Sequence, residues 1–139
     1  MSNPEKYPLL EALASDRRSA EAMDRLWLAA QLWLAGGGVV PMNRYLRLPA
    51  TAKQLKIASR DLWLIRASNL LGDGNGSWAA ALHGELTAFV SRGPWQSWRH
   101  LIAPPGGTSE LRKALFFAMK FGGESVIEER QIYRVLSAQ

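Results

Sequence analysis

Apolar residues recur at three- and four-residue intervals through most of this chain, and clusters of glycine, proline and asparagine separate one periodic stretch from the next. Such spacing gathers apolar side chains on one stripe of an α-helix, and the stripes must be buried against one another. At 139 residues the chain suits a single hydrophobic core. The expectation is an all-α, single-domain bundle of about five to six helices over residues 1–139, with little or no sheet.

The breaks set the expected helices. A short one covers Tyr7 to Ala14. Ser19 is placed to cap a second that runs to Ala35, with Glu21 and Asp24 in its first turns, where the helix dipole favours acids, and Gly36-Gly37-Gly38 ends it. Residues 39–49 hold Pro41 and Pro49 and alternate loosely, which leaves an extended connection and a short helical turn both open. A long third helix runs from Thr51 to Leu71, and Ser77 is placed to cap a fourth that reaches Ser91. Pro94 opens a short helix through Ile102. Ala103-Pro104-Pro105-Gly106-Gly107 reads as a linker and a candidate flexible joint. Thr108 is placed to cap a helix from Ser109 to Phe121, and the last helix runs from Glu124 to Ser137.

Several function classes are excluded by composition. The chain has no cysteine, so disulfides, thiolate zinc sites and cysteine nucleophiles are out, which fits a reducing cytoplasm. The start, Met1 to Lys6, has no signal-peptide pattern. The longest apolar run, Leu26 to Ala35, is broken by Gln31 and falls short of the roughly 20 residues that cross a bilayer. A soluble cytoplasmic protein with no membrane partner is expected.

Catalysis has little to draw on. His83 and His100 are the only histidines, and Glu85, two residues from His83, points to another side of a helix. Asp73-Gly74-Asn75-Gly76-Ser77 begins like a calcium loop, but its sixth and twelfth positions are Trp78 and Gly84 where Gly and Glu are needed. The glycine clusters lack the Lys-Ser/Thr of a phosphate-cradling loop. No catalytic residue, metal or cofactor is expected.

The charge pattern is more informative. The net charge is +5, yet five acids precede Arg25 and three more stand at Glu124, Glu128 and Glu129, so between Arg25 and Gly123 twelve basic residues face four acidic ones. Such a field draws polyanions. On the third helix Leu55, Ala58, Leu62 and Ile65 share one sector, the spacing of a core stripe, while Lys53, Lys56 and Arg60 share the opposite one with Trp63 at its edge. Basic side chains on one face neutralise phosphates, and an adjacent ring can stack on an unpaired base. The helix from Ser109 repeats the theme, with Arg112, Lys113 and Lys120 on one side, Phe116 among them, and Leu111, Leu115, Ala118 and Met119 on the other.

Between these helices, Arg92-Gly93-Pro94-Trp95-Gln96-Ser97-Trp98-Arg99-His100 interleaves two tryptophans with two arginines. It reads equally as a partner-binding patch or as a helix start whose Trp95 and Trp98 plug the core. Arg44 and Arg47 can join either surface. In the second helix Met23, Leu26, Trp27, Ala30, Trp33 and Leu34 form a broad apolar face that Leu28 and Leu32 extend, as in a helix central to its bundle or docked on another subunit, the core being the expected place.

Leu111-Arg112-Lys113-Ala114-Leu115 followed by Glu128-Glu129-Arg130-Gln131-Ile132-Tyr133-Arg134-Val135-Leu136 is similar to a helix pair in the small subunit of multi-subunit CRISPR effector complexes, where an Arg-x-Ala-Leu element precedes a Glu-Arg-x-Ile turn. The resemblance covers about a fifth of the chain and implies a non-catalytic ribonucleoprotein subunit of an antiviral defence complex. Such a subunit lies along a guide–target duplex or displaced strand, contacts RNA or DNA backbone through basic side chains, and packs against copies of itself and other subunits. Two other readings stay open: a small helical DNA-binding regulator whose last helix reads a groove, with Glu124, Glu128 and Glu129 opposing it, and a phage- or plasmid-encoded protein-binding adaptor or inhibitor.

Overall fold

A computed structural model describes residues 7–72, 78–123 and 125–138. The Met1 to Lys6 start, the turn at 73–77 with its expected Ser77 cap, and Glu124 at the expected start of the last helix lie outside the described residues. The fold is all-α. Among the described residues there are eight helices: α1 (Pro8–Ala14), α2 (Ala20–Ala35), α3 (Met42–Leu46), α4 (Ala52–Leu71), α5 (Trp78–Ser91), α6 (Trp95–Trp98), α7 (Glu110–Phe121) and α8 (Glu129–Ser137). The count exceeds the expected five to six: seven of the eight fall within stretches individually expected to be helical, and the eighth, α3, stands where an extended connection and a short helical turn were both open. Residues 39–49 resolve into α3, closed by Arg47 in the left-handed conformation at φ 55°.

Local chemistry explains the ends. The Ser19 hydroxyl oxygen accepts a hydrogen bond from the Ala22 amide at 3.1 Å and starts α2. Thr51 does the same for the Gln54 amide ahead of α4. The cap of α7 is Ser109, whose hydroxyl accepts from the Arg112 amide, and not Thr108, whose hydroxyl donates back to the Pro105 carbonyl. The helix after Pro94 stops at Trp98, well before Ile102. Glu128 stands before α8 without a side-chain cap.

The chain divides into two compact units, one ending at Ala58 and the other beginning at Ser59, so the boundary falls inside α4. Residues 103–107 lie within the second unit. In the N-terminal unit α2 packs against α1 and α3. In the C-terminal unit α5 is the hub, packed against α6, α7 and α8.

The two units differ sharply in how much they bury. Leu64, Leu82, Leu86, Trp95, Phe116, Met119, Ile132 and Val135 make a dense core in the C-terminal unit, each at most 1% exposed, and burial of each aliphatic side chain is worth about 1.5–3 kcal/mol. A line of ring contacts runs through it, from Trp63 stacked on Phe117 at 4.8 Å, through Phe116 and Trp95, to Phe89 and the edge of Trp98. In the N-terminal unit Leu9 and Leu10 are the only large apolar residues fully buried among those described, beside Ala22, Ala29 and Ala58. The expected burial of the broad α2 face is therefore corrected: Met23, Trp27, Leu28, Leu32 and Leu34 are all exposed, Trp27 by 70% and Leu34 by 74%.

α4 also departs from the expected two-faced helix. Residues 52–57 are exposed on every side, Leu55 included, whereas Ala58, Ser59, Asp61, Trp63, Leu64, Ile65 and Ala67 are buried almost all round the cylinder. The change comes where the chain passes from one unit into the other.

Candidate nucleic-acid interface

The cations named by the sequence separate once their surroundings are known. Arg44 on α3, Arg47 at its end, and Lys53 and Lys56 at the start of α4 are exposed and belong to the N-terminal unit. Lys53 and Lys56, three residues apart, lie on neighbouring sides of one helix turn. Arg60 leaves this set. Its guanidinium donates from Nε at 2.9 Å and Nη2 at 2.7 Å to one carboxylate oxygen of Asp61, and its side chain is only 17% exposed. A charge already neutralised by a buried acid offers little to a phosphate.

Trp63 is corrected as well. It is 3% exposed, stacks on Phe117, and carries the Arg66 guanidinium 4.9 Å from its ring centre, so no face is open to a base. Trp95 at 1% and Phe116 at 0% exposure, packed edge to face at 5.7 Å, are core residues and not an interface. Of the two readings of the Trp95–Trp98 segment, Trp95 takes the core one, while Trp98 is half-buried with its edge against Phe89.

On α7 the expected basic face thins out. Arg112 is exposed, Lys113 is half-buried, and the half-buried Lys120 donates its ammonium to the Arg99 carbonyl. The side chain of Arg99 itself is exposed.

What the fold does bring together is Arg92 and Arg112. Both line a cleft of about 310 Å³ between the end of α5 and the start of α7, floored by Phe89 and Leu115 and flanked by Glu85 and Pro94. Gly93 makes this cleft. A β-carbon there would stand 2.7 Å from the Phe89 carbonyl oxygen and 2.9 Å from its Cα, so only glycine lets the chain fold back tightly enough to set Arg92 beside the N-terminus of α7. Two arginines against the single acid Glu85 leave the lining of this cleft net positive, which suits an anion such as a backbone phosphate.

At the other end of α5, about 20 Å away along the helix, Trp78, Arg130, Tyr133 and Leu136 line an open groove of about 630 Å³ against α8, with Glu129 at its rim. Trp78 is 45% and Tyr133 63% exposed. These aromatics, next to a cation, escape a reading of the sequence that looks only for basic faces. The signal is present in the three-residue step from Arg130 to Tyr133, which puts both on one side of α8, while Ile132, Val135 and Leu136 face inward. Among the described residues, no three of His, Asp and Glu gather as metal ligands, and no helix is long and apolar enough to cross a membrane.

The chain matches no protein-family model, no curated protein and no solved structure.

Proposed function

We propose that this chain is a non-catalytic, nucleic-acid-binding small subunit of a CRISPR-type ribonucleoprotein effector complex, working in the cytoplasm. The observation that carries the reading is the shared cleft of Arg92 and Arg112. A phosphate held there fixes the position of a strand without reading its sequence. The groove of Trp78 and Tyr133 at the far end of α5 adds ring surface on which an unpaired base can stack.

The resembling segments support the same reading. In Arg112-Lys113-Ala114-Leu115 the arginine is exposed at the cleft while Ala114 and Leu115 are buried; in Glu129-Arg130-Gln131-Ile132 the charged pair is exposed at the groove while Ile132 is buried. Each segment thus keeps its apolar half for the core and its charged half for a partner. A DNA-reading α8 is disfavoured by Glu128 and Glu129, both exposed at its start.

The test is fluorescence anisotropy against labelled single strands and duplexes over a salt series. Replacing Arg92 and Arg112 by Ala is expected to weaken binding to every sequence, and to reduce the slope of log affinity on log salt by about 0.7–0.9 for each phosphate that is no longer neutralised. An unchanged slope, or no binding to RNA or DNA at low salt, overturns the reading. The exposed apolar face of α2 favours a second reading, a protein-binding adaptor. Purification from the native host before and after nuclease treatment separates the two: partners that stay after nuclease are held by protein contacts.

A further inference from the structure

The groove at the start of α5 holds more than two rings. On α8, Glu129 and Arg130 stand four and three residues before Tyr133, and at 100° per residue they fall about 40° to one side of it and about 60° to the other. A helical side chain leans toward the N-terminus over the preceding turn, so the Tyr133 ring covers the turn that carries this acid and this cation. All three line the groove. Both ionic side chains are exposed, and among the described residues no ion pair takes up either of them, unlike Arg60, which Asp61 neutralises. On α5, Trp78 is followed by Ala79 and Ala80, whose small side chains leave the space of about 630 Å³ open, inside the roughly 300–1,000 Å³ of small-molecule sites.

A flat guest stacked on these rings meets an acceptor and a donor at its edge. An ionised carboxylate only accepts, and is best matched by two parallel N–H groups. A guanidinium only donates, and matches two adjacent acceptors. Guanine alone among the nucleobases carries both pairs, the N1 and N2 donors side by side and the O6 and N7 acceptors next to them. Adenine and cytosine place one amine beside a bare ring nitrogen, and uracil and thymine place one N–H between two carbonyls, so each turns a lone pair toward a carboxylate oxygen.

From that complementarity we infer that the groove is a guanine site: the base stacks on Trp78 and Tyr133, donates from N1 and N2 to Glu129, and accepts from Arg130 at O6 and N7. A guanine in a duplex has its N1 and N2 already paired, so the guest is an unpaired base or a free nucleotide. On a strand without guanine the Arg130 guanidinium is left to the phosphates. Two rings beside a carboxylate also suit a methylated ammonium, but Arg130 sets a like charge in the same groove and opposes it. The inference rests on the strand-binding reading for the source of the base and not for the chemistry of the groove.

Two probes keep these apart. Short labelled uridine strands with one central guanosine, inosine or adenosine are titrated by fluorescence anisotropy. The guanosine strand is expected to bind about five- to tenfold more tightly than the adenosine strand, the low end for a bidentate contact because the groove is open to water. Inosine, which lacks the N2 amine, loses most of that gain. Glu129→Gln, whose amide offers one acceptor and one donor, is expected to abolish the guanosine preference while affinity for plain uridine strands does not fall; Glu128→Gln, one position away, keeps the preference. Equal affinity for the three strands, or a preference that survives Glu129→Gln, overturns the inference and leaves strand binding standing. Where no strand binds, guanosine and adenosine monophosphates titrated into the full chain by saturation-transfer NMR decide. Saturable binding of the guanosine form alone, lost in Glu129→Gln, keeps the guanine site while the strand reading falls. No selective binding overturns both, and displacement of guanosine monophosphate from the groove by choline overturns the assignment to a base.

Discussion

The carboxylate of Asp61, 1% exposed, accepts two hydrogen bonds from the neighbouring Arg60 at 2.7 and 2.9 Å. A bond between adjacent residues on a helix requires the arginine to curl back along its own turn, and burial of the acid makes that arrangement favourable. Removing the arginine takes from the buried acid the partner that donates both of these hydrogen bonds, at a cost of several kcal/mol. Arg60→Ala is therefore expected to lower stability by about 2–4 kcal/mol, read as a lowered denaturation midpoint. Lys53→Ala and Lys56→Ala, on the exposed part of the same helix, stay within about 0.5 kcal/mol of wild type. Equal effects at all three positions would return Arg60 to the basic surface.

Trp63 is the matching case among the aromatics. With its ring between Phe117 and the Arg66 guanidinium, Trp63→Ala is expected to cost about 3–5 kcal/mol in thermal or urea unfolding. Trp63→Phe keeps the stack with a smaller cavity and costs less. Where Trp63→Phe remains folded, its affinity for nucleic acid matches wild type, and a specific drop in affinity would place the ring at the interface after all.

The fold class and most helix positions were legible because they depend on local rules. Ser19 capping α2 and the Gly36-Gly37-Gly38 stop are each set within one turn of chain. The allocation of faces was not legible in the same way. The wheel of α4 places Leu55 with Ala58 and Arg60 with Lys53, but the surroundings change at Ala58, where one unit gives way to the other, and a periodic pattern carries no mark of such a change. Trp95 was left open between core and patch, and Phe116 was placed on the basic side of its helix, for a related reason: an aromatic near basic residues has the same spacing whether it meets a partner or, as here, the rings of the core. Arg92 and Arg112 are twenty positions apart in sequence, and only the tight turn at Gly93 brings them to one cleft.

That turn gives a further prediction. Gly93→Ala puts a methyl group 2.7 Å from a backbone oxygen and 2.9 Å from a backbone carbon of Phe89, atoms at the end of a helix that cannot rotate aside. Destabilisation of about 1–3 kcal/mol is expected. Because the displaced segment carries Arg92, the variant should also lose affinity for nucleic acid in proportion to Arg92→Ala. Gly84→Ala, on α5 with open space around the site, is the control, and is expected to be neutral or stabilising by up to about 1 kcal/mol. A Gly93→Ala protein as stable as wild type would mean that the turn tolerates opening.

Tyr133 separates stacking from simple charge attraction. It projects from α8 between Ile132 on the core side and Arg134, both rings of the groove being exposed and the neighbouring Arg130 supplying the positive charge. A ring that stacks on an unpaired base contributes about 1–3 kcal/mol, and does so for any base because each has a π-face. A duplex keeps its bases stacked on each other and has none to offer. Tyr133→Ala, at a position too exposed to hold the core together, is expected to leave the unfolding midpoint unchanged and to weaken single-strand binding by about five- to a hundredfold. Duplex affinity and the salt slope should hardly move. Arg130→Ala is the complement: it lowers the slope for single strands and duplexes alike. If Tyr133→Ala weakened both forms equally, the groove would be serving shape or charge, and the cleft at Arg92 and Arg112 would remain the only site that positions a strand.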